Sequence, residues 1–334
     1  MQREQKKMTI EDIAKDLGVS KTTVSRAISG KGRIGKETVD RVNDYIKQCN
    51  YKPNVIAKGL AQSKTYNIGL MIPGDYDLVD LPFFQKCMLG VCEMASAMDY
   101  DVIISMVRGD DISQMERLVD NHKVDGFVLS RTLVEDVPMK FLKERKIPFV
   151  AIGRTDEDNV VQVDNDHRGA CKELTSILLA RGIRRIALIG GNRNHIVTQN
   201  RLIGFREAYE ELRKKPDNKL IYMEAEGRVR IEQIVDDLIP KKADCILCMD
   251  DSICAYVLAK LKKERIKIPQ DIKVASFYNS TTLENNMPSI TSLQFDGWEL
   301  GRVACQALLT QIDGKAVESQ ILLGYEVSLK ESTK

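Results

Sequence analysis

The sequence predicts an all-α N-terminal head with a helix-turn-helix corner, a short hinge helix, and a two-lobed α/β body built on parallel sheets. Three observations predict this fold class. Apolar residues repeat at helical spacing near the start of the chain, basic charge is concentrated at the same end, and the remainder alternates β-rich runs with amphipathic stretches. We assign the head to residues 1–52, the hinge helix and linker to 53–64, and the body to 65–334.

The head is predicted to hold three helices. Thr9 is a good N-cap for Ile10–Leu17, whose apolar residues recur at the spacing of one helix face. Gly18 tolerates the left-handed backbone of a tight corner, and Ser20 can cap a second helix over Lys21–Ser29. The third helix is predicted over 37–49, with four apolar residues facing inward: Val39, Val42, Ile46 and Cys49.

The second helix exposes a row of donors and small hydroxyls with no large apolar group among them: Lys21, Thr22, Thr23, Ser25 and Arg26. In a helix-turn-helix motif, this helix lies in the major groove of DNA with its N-terminal residues at base edges. Lys21 and Thr22 would then meet bases first, and Arg26 could bind a guanine through two hydrogen bonds. The alternative is an ordinary solvated helix face.

The distribution of charge favours the DNA interpretation. The first 65 residues contain fourteen Lys and Arg against seven Asp and Glu, a net charge of +7, whereas the whole chain has a net charge of only +2. A basic head on a mildly acidic body is arranged to meet a phosphate backbone at one end. We expect this binding to weaken steeply with salt, because counterions are released from the DNA.

The run over 51–61, Tyr-Lys-Pro-Asn-Val-Ile-Ala-Lys-Gly-Leu-Ala, follows the predicted head. It resembles the hinge helix of the LacI/GalR family of bacterial repressors, and segments 9–14 and 19–26 are similar to that family's head. The resemblance implies a hinge that folds only when two subunits sit on operator DNA, with Leu60 wedged between base pairs from the minor groove. The DNA-binding residues predicted in this way are Thr9, Ser20, Lys21, Thr22, Thr23, Ser25, Arg26, Asn54, Ala57 and Leu60.

Conditional folding of this hinge is physically reasonable. A helix of about nine residues is too short to be stable alone, and Gly59 weakens it further. DNA and a partner hinge would supply the missing stabilisation. Inserting an apolar side chain between base pairs costs free energy, and the wider contact that a bent duplex permits offsets that cost. Two hinges must lie together, which predicts a homodimer on a pseudo-palindromic operator in double-stranded DNA. The alternative is a polar linker in which Leu60 has no such role.

The body alternates predicted strands with predicted helices, a pattern typical of parallel sheets with helices on both faces. The strands are predicted at 68–72, 102–105, 126–129, 149–152, 186–189, 245–247 and 274–277, and helices at 85–98, 168–181, 204–212 and 252–264. The body, with 270 residues, is too long for one sheet of this kind, which predicts two similar lobes. The family resemblance implies a body like that of periplasmic sugar-binding proteins, with three crossovers between the lobes.

Ligands in such folds bind outside the carboxyl ends of the strands. The resemblance implies a small-molecule effector there, with a carbohydrate as the leading class. Arg201 matches the family's effector-binding arginine, and Phe83 and Phe84 match an aromatic pair that walls the pocket. Asp250 stands where the family places a polar effector contact, with Asp251 in a more structural role. The alternatives are an Arg201 that only pairs with a nearby acid and phenylalanines that only fill the core.

The pattern differs from the family after the strand predicted at 274–277. The family usually carries an aspartate pair or Asp-Asn that binds effector, whereas this chain has Tyr278 and Asn279. Loss of a carboxylate removes a strong acceptor for sugar hydroxyls, so the pocket could suit a less hydroxylated or anionic ligand, or be weak. The segment 164–166, Asp-Asn-Asp, is predicted as an N-cap region before the following helix, and it is also expected to border the crevice.

Enzyme, metal and membrane functions find little support. The three histidines are not near a recognisable nucleophile turn, no glycine-rich phosphate loop is present, and Asp250 and Asp251 are expected to point to opposite sides of an extended segment. Cys245 and Cys248 lack a second pair and predict packing rather than a zinc site. The scattered cysteines, the polar residues 1–7 and the absence of a long apolar run predict a cytoplasmic protein without a cofactor.

The sequence as a whole predicts a DNA-binding transcriptional regulator, with repression as the leading mode, whose operator affinity is changed by a small-molecule effector. Two alternatives remain open. One is a regulator with a degenerate pocket that answers to a protein partner or to nothing, and the other is a cytosolic sugar-binding protein in which the head is incidental. The basic head and the hinge run argue against the second alternative.

Overall fold

The computed structural model describes residues 8–29, 32–49, 51, 59, 62–75 and 82–334. The chain forms two compact units, Met1–Thr65 and Tyr66–Lys334. The described residues form two β-sheets, and both lie in the second unit.

The first unit holds three helices: α1 (Ile10–Leu17), α2 (Lys21–Ser29) and α3 (Lys36–Gln48). Thr9 and Asp12 form a capping box at the start of α1, and Gly18 ends that helix with φ of +64°. The Tyr45 hydroxyl donates to Asp16 at 2.6 Å and so ties α3 to α1. The predicted helices are confirmed, although α3 begins and ends one residue earlier than expected.

The core of this unit is small, and its fully buried apolar side chains are Ile13, Ala14, Val24, Ala27 and Val42. The expectation for α3 is therefore only partly correct. Val42 is buried, whereas Val39, Ile46 and Cys49 are half-buried, because a three-helix head of this size covers only one narrow stripe of each helix.

Most of the hinge run lies outside the described residues. Tyr51 and Gly59 are described, whereas Asn54, Ala57 and Leu60 lie outside the described residues. The hinge helix and its DNA contacts remain predictions.

The second unit contains two six-stranded sheets. The first has the order β11-β5-β4-β3-β1-β2 and the second the order β12-β10-β9-β8-β6-β7. The strands are β1 (Asn67–Pro73), β2 (Asp101–Val107), β3 (Phe127–Leu129), β4 (Phe149–Ile152), β5 (Val161–Asn165), β6 (Ile186–Ile189), β7 (Ile221–Tyr222), β8 (Cys245–Cys248), β9 (Lys273–Ser276), β10 (Thr291–Gln294), β11 (Gln320–Leu323) and β12 (Glu326–Ser328). Neighbouring strands pair in parallel except β10 and β12, which are antiparallel.

Helices cover both faces of each sheet, as the alternating pattern predicts. They are α4 (Pro82–Ala97), α5 (Ser113–Asp120), α6 (Val137–Glu144), α7 (His167–Ala180), α8 (Ile196–Glu211), α9 (Gly227–Leu238), α10 (Asp251–Lys263), α11 (Thr281–Glu284) and α12 (Gly297–Ile312). On the first sheet, α4 and α12 share one core and α5 and α6 the other. On the second sheet, α7 and α8 share one core and α9 to α11 the other.

The chain passes between the two sheets three times, after β5, after β10 and after β11. The two lobes and the three crossovers that the family resemblance implies are thus present. The segment 164–166 divides between two elements: Asp164 and Asn165 belong to β5, and only Asp166 caps α7, accepting a hydrogen bond from the Gly169 N–H at 2.8 Å. The prediction of one capping segment is wrong for its first two residues.

Helices α7 and α8 cross closely at Gly204. A Cβ atom at this position would lie 2.2 Å from the backbone oxygen of Arg168, so only glycine fits without a shift of one helix. Arg201 lies one turn before this crossing on α8.

Candidate functional site

The residues of the head that are predicted to bind DNA divide into two groups. Ser20 Oγ accepts from the Thr23 N–H at 3.0 Å and contacts Thr23 Oγ1 at 2.8 Å, while Thr9 Oγ1 donates to Asp12 Oδ2 at 2.7 Å. The hydroxyls of Thr9, Ser20 and Thr23 therefore hold the helix starts.

The other predicted residues of the head face outward. Thr22, Ser25 and Arg26 are exposed, and Lys21 pairs at 2.5 Å with Glu11 of α1, both side chains being well exposed. An ion pair of this kind contributes little to stability and can be exchanged for a phosphate or a base. The structure thus leaves Lys21, Thr22, Ser25 and Arg26 on one accessible surface.

The second unit encloses a cavity of about 330 Å³ between its two sheets, which we call the inter-lobe cavity. Its lining residues follow the carboxyl ends of strands from both lobes, as expected for parallel α/β sheets. They include Ser130 after β3, Gly153 after β4, Gly191 after β6, Asp250 after β8 and Tyr278 after β9.

Arg201 lines this cavity and is only 8% exposed. Its Nη1 donates to the backbone oxygen of Met249 at 2.6 Å, while its buried Nε has no hydrogen-bond partner among the described residues. No carboxylate in the described part of the chain lies within ion-pair distance of the guanidinium. The anchored arginine therefore keeps donor capacity for another group.

Aromatic rings form one wall of the cavity. Phe83 and Phe84 both line it, and their ring centroids lie 5.2 Å apart. Tyr278 is 5% exposed and meets Phe83 edge-on at 6.0 Å, while it stacks on Phe295 at 6.1 Å. The residue that replaces the family's aspartate is thus fixed between aromatic rings of both lobes.

Asn279, which with Tyr278 stands where the family usually carries an aspartate pair or Asp-Asn, does not line the cavity. Its side-chain amide donates to Glu284 Oε1 at 2.7 Å, so it ties the loop after β9 to α11. The structure therefore assembles Phe83, Phe84, Arg201, Asp250 and Tyr278 of the predicted effector residues and leaves Asn279 outside.

Asp250 and Asp251 both line the cavity, so the expectation that they point to opposite sides is wrong. Asp250 is the N-cap of α10, accepting from the Ile253 N–H at 2.8 Å, and Asp251 opens that helix instead of continuing an extended segment. Burial raises the pKa of Asp250, and burial together with the charge of Asp250 raises the pKa of Asp251 to about 6.

Three more titratable residues line the cavity: Asp164, whose segment is expected to border the crevice, and His167 and His195, which were not predicted from the sequence. Burial raises the pKa of Asp164 to about 7, although Arg201 and Arg154 oppose the shift. Burial lowers the pKa of His167 well below its usual value and that of His195 to about 4, so both imidazoles are neutral at pH 7. Their sequence signal is position alone, since Asp164 lies at the end of β5 and His195 follows β6.

The two lobes are joined at one side of the cavity by backbone hydrogen bonds. The Val134 N–H donates to Asn194 O at 2.9 Å, and the Ile196 N–H donates to Thr132 O at 3.3 Å. A ligand in the inter-lobe cavity would therefore touch a part of the body in which the lobes already meet.

The described residues hold no cluster of three or more His, Cys, Asp or Glu side chains suited to a metal ion. Cys245 and Cys248 are fully buried in β8, where burial raises the pKa of both thiols, consistent with packing. Among the helices in the described part of the chain, none is long and apolar enough to cross a membrane.

A helix-turn-helix head joined to a two-lobed binding body defines a DNA-binding transcription regulator. Two family models match the chain: the lacI family of bacterial regulatory proteins over residues 9–54, and a periplasmic binding protein-like domain over residues 175–333. The chain belongs to the lacI family. Neither matching model describes an enzyme.

Known relatives extend over nearly the whole chain. The HTH-type transcriptional regulator MalR of Streptococcus pneumoniae is 30% identical over 322 residues, covering 94% of this chain and 95% of that protein. Catabolite control protein A of Staphylococcus xylosus is 26% identical, covering 98% of this chain and 99% of that protein.

Two solved structures resemble the fold. The transcriptional regulator CelR in complex with cellobiose has a TM-score of 0.74 and 26% identity, covering 97% of this chain and 99% of its own. The lac repressor dimer bound to operator and the anti-inducer ONPF has a TM-score of 0.78 at 20% identity, covering 98% of this chain and 99% of its own, which supports the fold alone.

Proposed function

We propose that the protein is a sequence-specific repressor whose operator affinity is controlled by a small molecule bound in the inter-lobe cavity. One observation carries this proposal: the cavity joins both lobes at the carboxyl ends of their strands and contains a buried, anchored arginine with an unpartnered donor. An unsatisfied buried donor costs free energy, which a ligand acceptor would recover.

For the DNA contacts, we propose that Lys21, Thr22, Ser25 and Arg26 meet the operator directly. Thr9, Ser20 and Thr23 would support them through the helix caps, leaving part of their hydrogen-bonding capacity for phosphates. The hinge residues Asn54, Ala57 and Leu60 would add minor-groove contacts in a homodimer on a pseudo-palindromic operator. The protein would act in the cytoplasm, where it reaches chromosomal DNA.

For the effector, a carbohydrate remains the leading class. An aromatic wall beside carboxyl groups and an arginine offers an apolar face together with hydroxyl partners. CelR, which has been solved with cellobiose, is a relative in fold and sequence. An effector that prefers one arrangement of the lobes would change operator affinity by linkage, and DNA would change effector affinity by the same factor.

The replacement of the family's aspartate by Tyr278 favours a second candidate function. In that case the cavity is degenerate, and a protein partner or nothing controls the regulator. A cytosolic sugar-binding protein without DNA binding is a further alternative, against which the basic head argues.

The experiment begins with operator selection and footprinting on the full chain, followed by a thermal-shift screen against sugars, nucleobases and phosphorylated metabolites. Arg201→Ala should abolish the effector response and keep operator binding. Arg206→Ala, an exposed residue on the same helix, is the matched control and should respond normally. A response retained in Arg201→Ala would remove this residue from the site, no hit in the screen would favour the degenerate cavity, and no operator would refute the regulator.

A further inference from the structure

The second lobe carries a concentration of positive charge at the sheet edge opposite the inter-lobe cavity. Strands β6 to β9 are adjacent and mutually parallel, so the loops that enter them lie at one edge. Those loops are 181–185, 212–220, 239–244 and 264–272, and we call them the basic edge. They contain eleven Lys and Arg against four Asp and Glu, a net charge of +7.

Contacts show that these loops form one surface. The Arg185 side chain donates to the backbone oxygens of Lys241 at 2.9 Å and Lys242 at 3.2 Å, and it lies 3.8 Å from Asp217. The Arg184 N–H donates to Asp244 at 2.9 Å. Residues of 264–272 line one surface pocket together with Arg181 and Asp244. The four segments therefore present their charges to the same solvent region.

The acids of the basic edge are already engaged. Asp244 accepts from the backbone of Arg184 and Arg185, Asp271 from the Lys267 N–H at 2.8 Å, and Asp217 from the Lys219 N–H at 3.0 Å. Glu264 accepts from Lys260 at 2.7 Å. Three of the four acidic side chains therefore accept hydrogen bonds from the backbone of the loops, and the fourth, Glu264, pairs with a lysine of α10.

The basic side chains, in contrast, point outward. Only Arg185 and Lys241 have an ion pair within 4 Å, with Asp217 and Asp237, and the other nine have none among the described residues. All eleven are exposed except Lys241, which is half-buried. Like charges held together without counter-charges repel one another, so the fold gains nothing from this arrangement.

Helix dipoles do not account for this charge. Helices α7 to α10 end at the basic edge, and cations are favoured at helix C-termini. The first lobe provides an internal control with the same topology. Its loops from helix to strand, 98–100, 121–126, 145–148 and 313–319, contain four Lys and Arg against four Asp and Glu, a net charge of zero.

We propose that the basic edge binds the phosphate backbone of double-stranded DNA without reading its sequence, as a second DNA contact separate from the head. Phosphates are bound by exposed Arg and Lys and by backbone N–H groups, all of which this edge offers. A protein partner would need aromatic or well-buried apolar anchors, whereas these loops contain no aromatic residue and expose only Leu212 and Ile239 as large apolar side chains.

The test uses the full chain with its heads filled by a short selected operator duplex carrying one dye. A second duplex of unrelated sequence with another dye is then added at about 50 mM salt, and ternary complexes are counted on a native gel. The wild type should form them with an affinity that falls steeply with salt.

The variant Arg184→Glu, Lys214→Glu, Lys215→Glu should weaken the second duplex by at least about tenfold and reduce its salt dependence, while the first operator binds as before. The matched control, Arg117→Glu, Lys123→Glu, Lys315→Glu, makes the same charge change at exposed positions of the first lobe and should change affinity less than about twofold.

Three results would overturn the proposal. The wild type could fail to hold a second duplex at low salt, both variants could lose it equally, or polyglutamate could bind the basic edge while duplex does not. The last result would assign the basic edge to an acidic protein. Retained operator binding by the reversed variant excludes misfolding as the cause of any loss.

Discussion

Replacing Asp164 by Asn should stabilise the protein at alkaline pH and change it little at acidic pH. Asp164 lies at the end of β5 and is 5% exposed, and burial raises the pKa of its carboxyl group from 3.8 to about 7. A raised pKa in the folded state means that this state binds the proton more tightly than the unfolded state. The contribution of protonated Asp164 to the stability of the folded protein is therefore fully present below pH 3.8 and is lost as the pH rises through about 7.

The size of the effect follows from the two pKa values. The full loss corresponds to about 4 kcal/mol, at about 1.4 kcal/mol for each pH step between the two values. Asn is neutral at every pH and keeps the Oδ1 atom that accepts from the Asn165 N–H at 2.8 Å. From pH 5 to pH 8, the difference in unfolding free energy between variant and wild type should widen by about 3 kcal/mol in favour of Asn.

Trp298 provides the assay, because it is the single tryptophan of the chain and lies in α12, which packs on the same sheet as Asp164. Urea denaturation followed by its fluorescence reports on the body. Asp158→Asn, an exposed neighbour in sequence, is the control and should show no widening. A constant difference across pH, or a less stable Asp164→Asn variant at pH 8, would refute the reasoning.

Two further substitutions test the helix crossing and the hinge. Gly204→Ala places a Cβ atom 2.2 Å from a backbone oxygen and should destabilise the body by about 1–3 kcal/mol in the same urea assay. Gly324→Ala, whose Cβ atom meets open space, is the control and should not destabilise the body. Equal stability of the two variants would refute the close crossing. Leu60→Ala should weaken operator binding in a gel-shift titration while Trp298 fluorescence reports an intact body, and unchanged affinity would contradict the wedge.

Sequence patterns predicted β4 and β6, whose residues are all apolar, with their observed bounds. The segments 149–152 and 186–189 match β4 and β6 residue for residue, because a short run of Val, Ile, Phe and Leu in an α/β chain has few places other than a buried parallel strand. In contrast, β11 and β12 were missed. They are half-exposed strands at sheet edges, and β12 runs antiparallel, so neither has the signature of a buried run.

Helix α8 was predicted only over its second half, and the cause lies in the buried polar side chains of its first half. The helix begins at Ile196, eight residues before the predicted start, and its first turns include Thr198 and Arg201, which line the inter-lobe cavity while buried. Polar side chains on an inward face disrupt the apolar spacing on which the prediction depends. Local patterns fail most readily where a site replaces core.

Buried polar residues are also the reason that β5 was not predicted, and their position changes the interpretation of Tyr278. Gln162, Asp164 and Asn165 are polar yet buried, so the segment does not look like a strand in the sequence. From the sequence alone, an aromatic residue in place of the family's aspartate suggests a cavity without a strong acceptor. The structure places the carboxyl groups of Asp164, Asp250 and Asp251 on the same cavity. Acceptors therefore lie near the end of β5 and after β8, while an aromatic ring follows β9.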